Sequence, residues 1–153
     1  MKYLLLENIR SAYNVGAIFR TADGAGFSKI FLFGHTPAPI DRFGRIQSEI
    51  KKTSLGASET MLWEKVEDLT DFLQLQKNNS VSVVALEQTK RSLPLKEFSV
   101  PQSVLYVVGN EIDGVSEEVI TAADTVVELP MLGEKESLNV SVSAGILMYH
   151  GLV

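Results

Sequence analysis

Five short apolar runs constrain this chain more than any other feature: residues 3–6, 28–33, 81–86, 103–108 and 125–129. Each is rich in leucine, β-branched or aromatic residues and is bounded by polar or turn-forming residues. A run apolar on successive positions, not alternate ones, belongs to a strand covered on both faces. Segments with helical spacing lie between the runs. Strands of this kind alternating with helices predict an α/β fold with a mostly parallel sheet flanked by helices.

Taken in order, Asn14 is placed to N-cap a first helix through Ile18, Phe19 and Ala22, stopped by Gly24 and Gly26. Residues 34–45 carry Pro37, Pro39 and Gly44 and predict a loop. Ile46 and Ile50 stand one helical turn apart, so a short helix should end before Gly56. Residues 60–63 are expected as a strand and residues 67–76 as a helix. Residues 87–101 form a polar connection with one helical turn around residues 95–98. Ser116 caps a short helix whose first turn holds Glu117 and Glu118, where the helix dipole favours acid. After the last run, Pro130 ends the ladder for want of an N–H, and Gly133 lies in a loop. Ser137 or Asn139 then caps a helix running to about Tyr149. That helix has almost no polar face, and a helix apolar all round is buried on all sides. It is either a core helix or one that packs on the sheet and on a second subunit.

The 153 residues suit one domain with a sizeable core. The net charge of −5 argues against a uniformly basic nucleic-acid binder, but a local basic face can coexist with an acidic whole. There is no Cys and there are two His, so neither a thiolate nucleophile nor a metal site is expected. The first apolar run is too short for a signal peptide and no stretch approaches a membrane span, so no membrane is expected and the cytoplasm is the expected compartment.

Ligands of open α/β sheets bind beyond the carboxyl ends of strands. Unusual loops follow Leu6, Val108 and Leu129. The glycine spacing of residues 109–116 resembles a phosphate loop, but Val115-Ser116 stand where Lys and Ser/Thr must follow, which argues against a nucleotide phosphate site. What remains is Gly109, which lets backbone approach a ligand, beside Glu111, either a site carboxylate or a solvated loop residue. Arg20, two turns after Asn14, is either a snorkelling or salt-bridged surface residue or a guanidinium held for a phosphate.

Residues 14–22 (NVGAIFRTA), residues 108–111 with Gly114 (VGNE, G), and residues 129–131 with 137–142 and Ala144-Gly145 (LPM, SLNVSV, AG) resemble the three ordered motifs of the SpoU (TrmH-type) RNA ribose 2′-O-methyltransferases of the SPOUT superfamily. Residues 52–57 also look like a family segment. The resemblance spans nearly the whole chain. It implies a Rossmann-like α/β part with a C-terminal trefoil knot, and S-adenosyl-L-methionine as cofactor, held at Gly109, Leu129, Met131 and Leu138. It implies a homodimer through the last helix and an RNA substrate, tRNA favoured over rRNA. Arg20 and Asn14 would then lie near the other subunit's cofactor, with Glu111, Ser137 and Asn139 ordering the catalytic site. Because Arg is effectively always protonated, phosphate clamping by Arg20 is preferred over a role as base. Lys51 and Lys52 are either RNA-backbone contacts or a solvated helix end. Residues 1–153 are expected as one catalytic domain with no appended RNA-binding domain. The alternative is a non-catalytic RNA-binding dimer that kept the fold; Arg20, Glu111 and Asn139 argue against it.

Overall fold

Strand and helix alternate along the chain in a computed structural model that describes residues 1–153. The strands are β1 (Lys2–Glu7), β2 (Lys29–Phe33), β3 (Trp63–Val66), β4 (Ser82–Leu86), β5 (Leu93–Pro94), β6 (Val104–Gly109) and β7 (Thr125–Glu128). The helices are α1 (Ala12–Gly24), α2 (Ser48–Ser54), α3 (Ala57–Thr60), α4 (Leu69–Asn78), α5 (Glu117–Ala122) and α6 (Val140–Tyr149), with a 3₁₀ turn at Leu95–Glu97. The strands form one sheet in the order β3-β2-β1-β6-β4-β7-β5, and every pairing is parallel.

Successive strand residues point to opposite faces, and both faces are covered. Leu4, Leu6, Ile30, Leu32, Tyr106 and Val108 pack under α1 and α6, while Leu5, Phe31, Val83, Ala85, Leu105 and Val107 pack under α4 and α5. Leu4, Leu5 and Leu6 are fully buried. Each such side chain contributes about 2 kcal/mol, which outweighs any local propensity along the strand. The β1–β6 register aligns Glu7 with Gly109, so the loops after both strands leave one edge of the sheet together.

Several boundaries differ from expectation. Ser11, not Asn14, caps α1: its extended backbone lets Oγ accept from the Asn14 N–H at 3.1 Å, which puts Asn14 inside the first turn with its side chain released from capping. Residues 57–60 form the short helix α3, which takes in the first residue of the strand expected at 60–63, because Leu55 and Gly56 adopt left-handed conformations that end α2 and start a new turn. Strand β3 begins only at Trp63. The connection after β4 hides the two-residue edge strand β5, which tolerates Pro94 because an edge leaves its missing N–H unneeded. Asn139, not Ser137, caps α6 through its Oδ1, which accepts from Ser141 N at 2.8 Å. No helix is long and apolar enough to cross a membrane.

One core group stands unpaired. The Tyr106 hydroxyl is buried between Phe27 and Phe98 with no hydrogen-bond partner, and desolvation pushes its pKa up to about 12. A raised folded-state pKa keeps its contribution intact below the unfolded value near 10 and loses it as pH climbs toward 12. Tyr106→Phe removes an unsatisfied hydroxyl, so it should equal or exceed the parent's stability at pH 7. It should also lose less stability than the parent between about pH 10 and pH 12. Chemical denaturation at several pH values checks both.

Candidate active site

The carboxyl ends of three adjacent strands, β4, β6 and β7, open into one cleft of about 400 Å³. Residues 86–89 form one wall, residues 108–115 the floor, and residues 128–143 the other wall. Of the three strand ends singled out in the sequence, those after Val108 and Leu129 line it. The end of β1 does not; the end of β4, which sequence reasoning passed over, takes its place. The β1 end serves as support. Buried Glu7 accepts from Ser116 N at 2.7 Å through Oε1, and Asn8 O accepts from Asn110 Nδ2 at 3.0 Å.

The floor is a tight loop with no spare room. A Cβ on Gly109 would lie 2.1 Å from Gly114 O, and one on Gly114 would meet Glu87 Oε2. Gly109 is therefore demanded first by its own loop, which must fold back to bridge Asn110 with Gly114. Asn110 Oδ1 accepts from Ile112 N and Asp113 N at 3.0 and 2.8 Å and so shapes the turn from within. Glu87 bridges wall and floor: its carboxylate accepts from Gln88 N at 2.9 Å and from Val115 N at 3.1 Å. Glu87 was missed in the sequence, and Asn110 stood there only as part of the VGNE motif, with no role of its own. The only signal for Glu87 was its place just past the carboxyl end of a strand.

Gly109, Glu111, Leu129, Met131, Ser137 and Leu138 all line the cleft. Asn14 and Asn139 stand beside it and are tied to it by hydrogen bonds. Asn14 Nδ2 donates to Glu111 Oε1 at 3.2 Å, Asn139 Nδ2 donates to Asn14 Oδ1 at 3.3 Å, and Asn139 Oδ1 accepts from Ser141 N. An ionised carboxylate only accepts, so Glu111 fixes which way both amides point. Arg20 is not in the cleft. It lies exposed in a shallow depression with Tyr13, Thr21, Lys52, Thr53 and Tyr149, and it has no ion pair within the chain. Lys52 shares that depression, whereas Lys51 lies 3.6 Å from Glu59.

The electrostatics are one-sided. Glu87, Glu111, Asp113, Glu117, Glu128 and Glu136 line the cleft, and no Lys, Arg or His does. No group of three such residues converges in a way that could hold a metal ion. The remaining lining is apolar, with Leu86, Val108, Leu129, Met131 and Leu138 offering flat contact surface. The arrangement favours a small cationic ligand with an apolar planar part over a free phosphate.

The model of the SpoU rRNA Methylase family matches residues 1–149. The chain belongs to the SpoU methylase family. A 23S rRNA (guanosine-2'-O-)-methyltransferase of Neisseria meningitidis is 32% identical to it, covering 95% of this chain and 55% of the relative. A tRNA (guanosine(18)-2'-O)-methyltransferase of Aquifex aeolicus is also 32% identical, covering 94% of this chain and 64% of that one. This SpoU chain thus spans little more than half the length of the curated relatives it matches. The crystal structure of an AdoMet-bound rRNA methyltransferase from Sinorhizobium meliloti superimposes with a TM-score of 0.87 at 28% identity, over 97% of this chain and 54% of that one.

The amide chain makes a sharp prediction. Asn14→Asp would set a second carboxylate 3.2 Å from Glu111 at a position only 7% exposed. Like charges raise the folded-state pKa, so the penalty appears above the unfolded value near 4 and disappears below it. The variant should lose about 2 kcal/mol at pH 7 and regain most of it at pH 3.5, relative to the parent, in denaturant titrations.

Proposed function

We propose that this SpoU chain binds S-adenosyl-L-methionine in the β4–β6–β7 cleft and transfers its methyl group to a ribose 2′-hydroxyl of RNA, tRNA in preference to rRNA. The observation that carries the reading is the cleft lined by six carboxylates and no cation. It suits a sulfonium, and its leucines and Met131 suit the flat adenine beside it. The fit is good on both counts. When bound, the cofactor supplies an activated methyl group; the residues described here supply position and charge.

Gly109, Leu129, Met131 and Leu138, all in the cleft lining, would hold the cofactor. Glu111 would orient the acceptor sugar, its own position set by the Asn14–Asn139 amides. Ser137, exposed on the wall, would contact the acceptor. Holding the hydroxyl in line with the methyl supplies much of the rate gain. A phosphate neighbouring the target ribose would be repelled by so acidic a cleft, and a cation must offset that. Arg20 is unpaired and lies outside its own chain's cleft. It would therefore act on the cleft of a second copy, clamping phosphate while the hydroxyl proton leaves through phosphate or water.

Two further features support this assembly. After β7 the chain crosses back over the strand ends to pack α6 on α1, and Gln88 Nε2 donates to Glu136 O at 3.3 Å as it passes. That path suits the family's trefoil knot. Helix α6 buries Val140, Ala144, Leu147 and Met148 inward yet leaves Val142 and Ile146 half exposed on its other side, a face suited to a second copy's helix.

Mass spectrometry of ribose-methylated nucleosides in tRNA and rRNA, from cells with and without the gene, tests the reaction directly. Loss of one such nucleoside from tRNA is the expected result. Calorimetric binding of the cofactor without transfer to either RNA would instead favour a non-catalytic RNA-binding dimer.

Arg20→Ala should lower turnover at least about 100-fold, with cofactor affinity unchanged and stability within about 0.5 kcal/mol of the parent. Turnover at the parent rate would remove Arg20 from the mechanism. Ile146 is 44% exposed in the single chain, so Ile146→Glu should leave the fold intact. It should convert a dimer to monomers in sedimentation and abolish transfer, since an unpaired charge is costly to bury. An active monomer would refute the shared site.

A further inference from the structure

The loop between β2 and α2 carries an exposed ring that packs against no core. Phe43 is 65% exposed, and the guanidinium carbons of Arg42 and Arg45 stand 4.8 and 5.0 Å from its ring centroid. The loop is rigidly built. Asp41 Oδ1 accepts from Phe43 N at 2.8 Å and Arg45 N at 2.9 Å, and Oδ2 accepts from Arg45 Nε at 2.8 Å. The Arg45 backbone N–H leads the interactions that hold the Asp41 carboxyl below the usual carboxylate range. An Ile40–Ile46 bridge closes the base. Arg42 has no carboxylate partner at all.

A loop without internal bonds would lose more conformational entropy on binding; the backbone of this one is already held by the Asp41 carboxylate. The loop leaves the carboxyl end of β2, the same sheet edge that carries the β1 and β6 loops. It is tied there by Thr36 Oγ1, which donates to Leu6 O at 3.0 Å, and by His35 N, which donates to Asn8 Oδ1 at 2.9 Å. The charge around it is also unlike the whole. Residues 8–58 hold seven Lys and Arg against three Asp and Glu, in a chain whose net charge is −5.

We propose that Phe43 with Arg42 and Arg45 is an RNA-docking element that stacks an unpaired base of the substrate and holds its adjoining phosphate. The proposal rests on the RNA reading above and adds a contact surface to it. An aromatic ring flanked by guanidinium planes offers stacking surface to any base. The unpaired Arg42 supplies charge for the backbone. A protein surface would gain equally from the ring but would not need an unpaired cation beside it.

Filter binding with end-labelled bulk bacterial tRNA, at several salt concentrations, tests the element. Phe43→Ala should weaken binding roughly 5- to 100-fold with an unchanged salt slope, and Phe43→Tyr should restore it. Arg42→Ala should reduce the slope of log K against log salt by about one unit. Cofactor affinity, melting temperature and sedimentation should match the parent in all three variants. Parent-like RNA affinity in Phe43→Ala overturns the docking element while leaving the methyl-transfer reading intact. Loss of affinity that accompanies a shift to monomer also overturns it and assigns the loop to a contact between copies. Failure of the parent itself to bind tRNA or to methylate any RNA overturns both.

Discussion

One buried amide joins the parts of this molecule that the chain order keeps apart. Asn14 lies on α1, Glu111 in the loop after β6, and Asn139 at the cap of α6, separated from Asn14 by 97 and 125 residues. Its two polar atoms serve the other two residues, and each bond is modest, about 1 kcal/mol, rising toward 2–3 where a carboxylate accepts. The consequence is larger than the sum. Because Glu111 can only accept, the orientation of Asn14 follows, then that of Asn139, and with it the start of α6. The helix that closes one wall of the cleft is thus set by a carboxylate on its floor.

This explains why so much of the fold was legible and a good part of the site was not. The strands declared themselves through burial on both faces, a property of each run taken alone; β1, β2, β4, β6 and β7 fall within a residue or two of the apolar runs. Strand β5 did not, because Leu93–Pro94 is a strand only by pairing with Val127 and Glu128. Asn14 was read as a cap because an Asn ahead of an apolar helix looks like one. Ser11, three residues earlier, supplies the same acceptor, and only the folded chain shows that the amide is engaged elsewhere. Of the lining residues, Gly109 and Glu111 were already marked by the unusual loop after Val108, whereas Leu129, Met131, Ser137 and Leu138 came from motif resemblance. Glu87 was passed over because its partner, Val115 N, lies 28 residues away and no local pattern announces it.

Gly109 teaches a finer point. A glycine at a strand's end invites the idea that a ligand needs the space. Here the space is taken by the loop's own backbone, 2.1 Å from where a Cβ would stand. The glycine makes the floor possible, and proximity to a ligand follows from the floor.

The distribution of charge gives a further physical reason for the proposed shared site. At 4 Å, two like charges near a protein surface repel by about 4 kcal/mol at an effective dielectric of 20. A cleft lined by six carboxylates draws a sulfonium in and holds a ribose phosphate off. Within one copy no Lys, Arg or His lines the cleft, and of its carboxylates only Asp113 has an ion pair, with Arg10 at 3.8 Å; Arg20 and Lys52 sit in a depression of their own, and Arg42 and Arg45 stand on the β2–α2 loop. Methyl transfer to RNA requires donor and phosphate-bearing acceptor within one van der Waals contact. In the proposed assembly, the cations of one copy must therefore face the acids of another. That segregation suits a protein whose copies are each unable to bring the two reactants together, and whose cofactor and RNA approach from oppositely charged surfaces that only association joins.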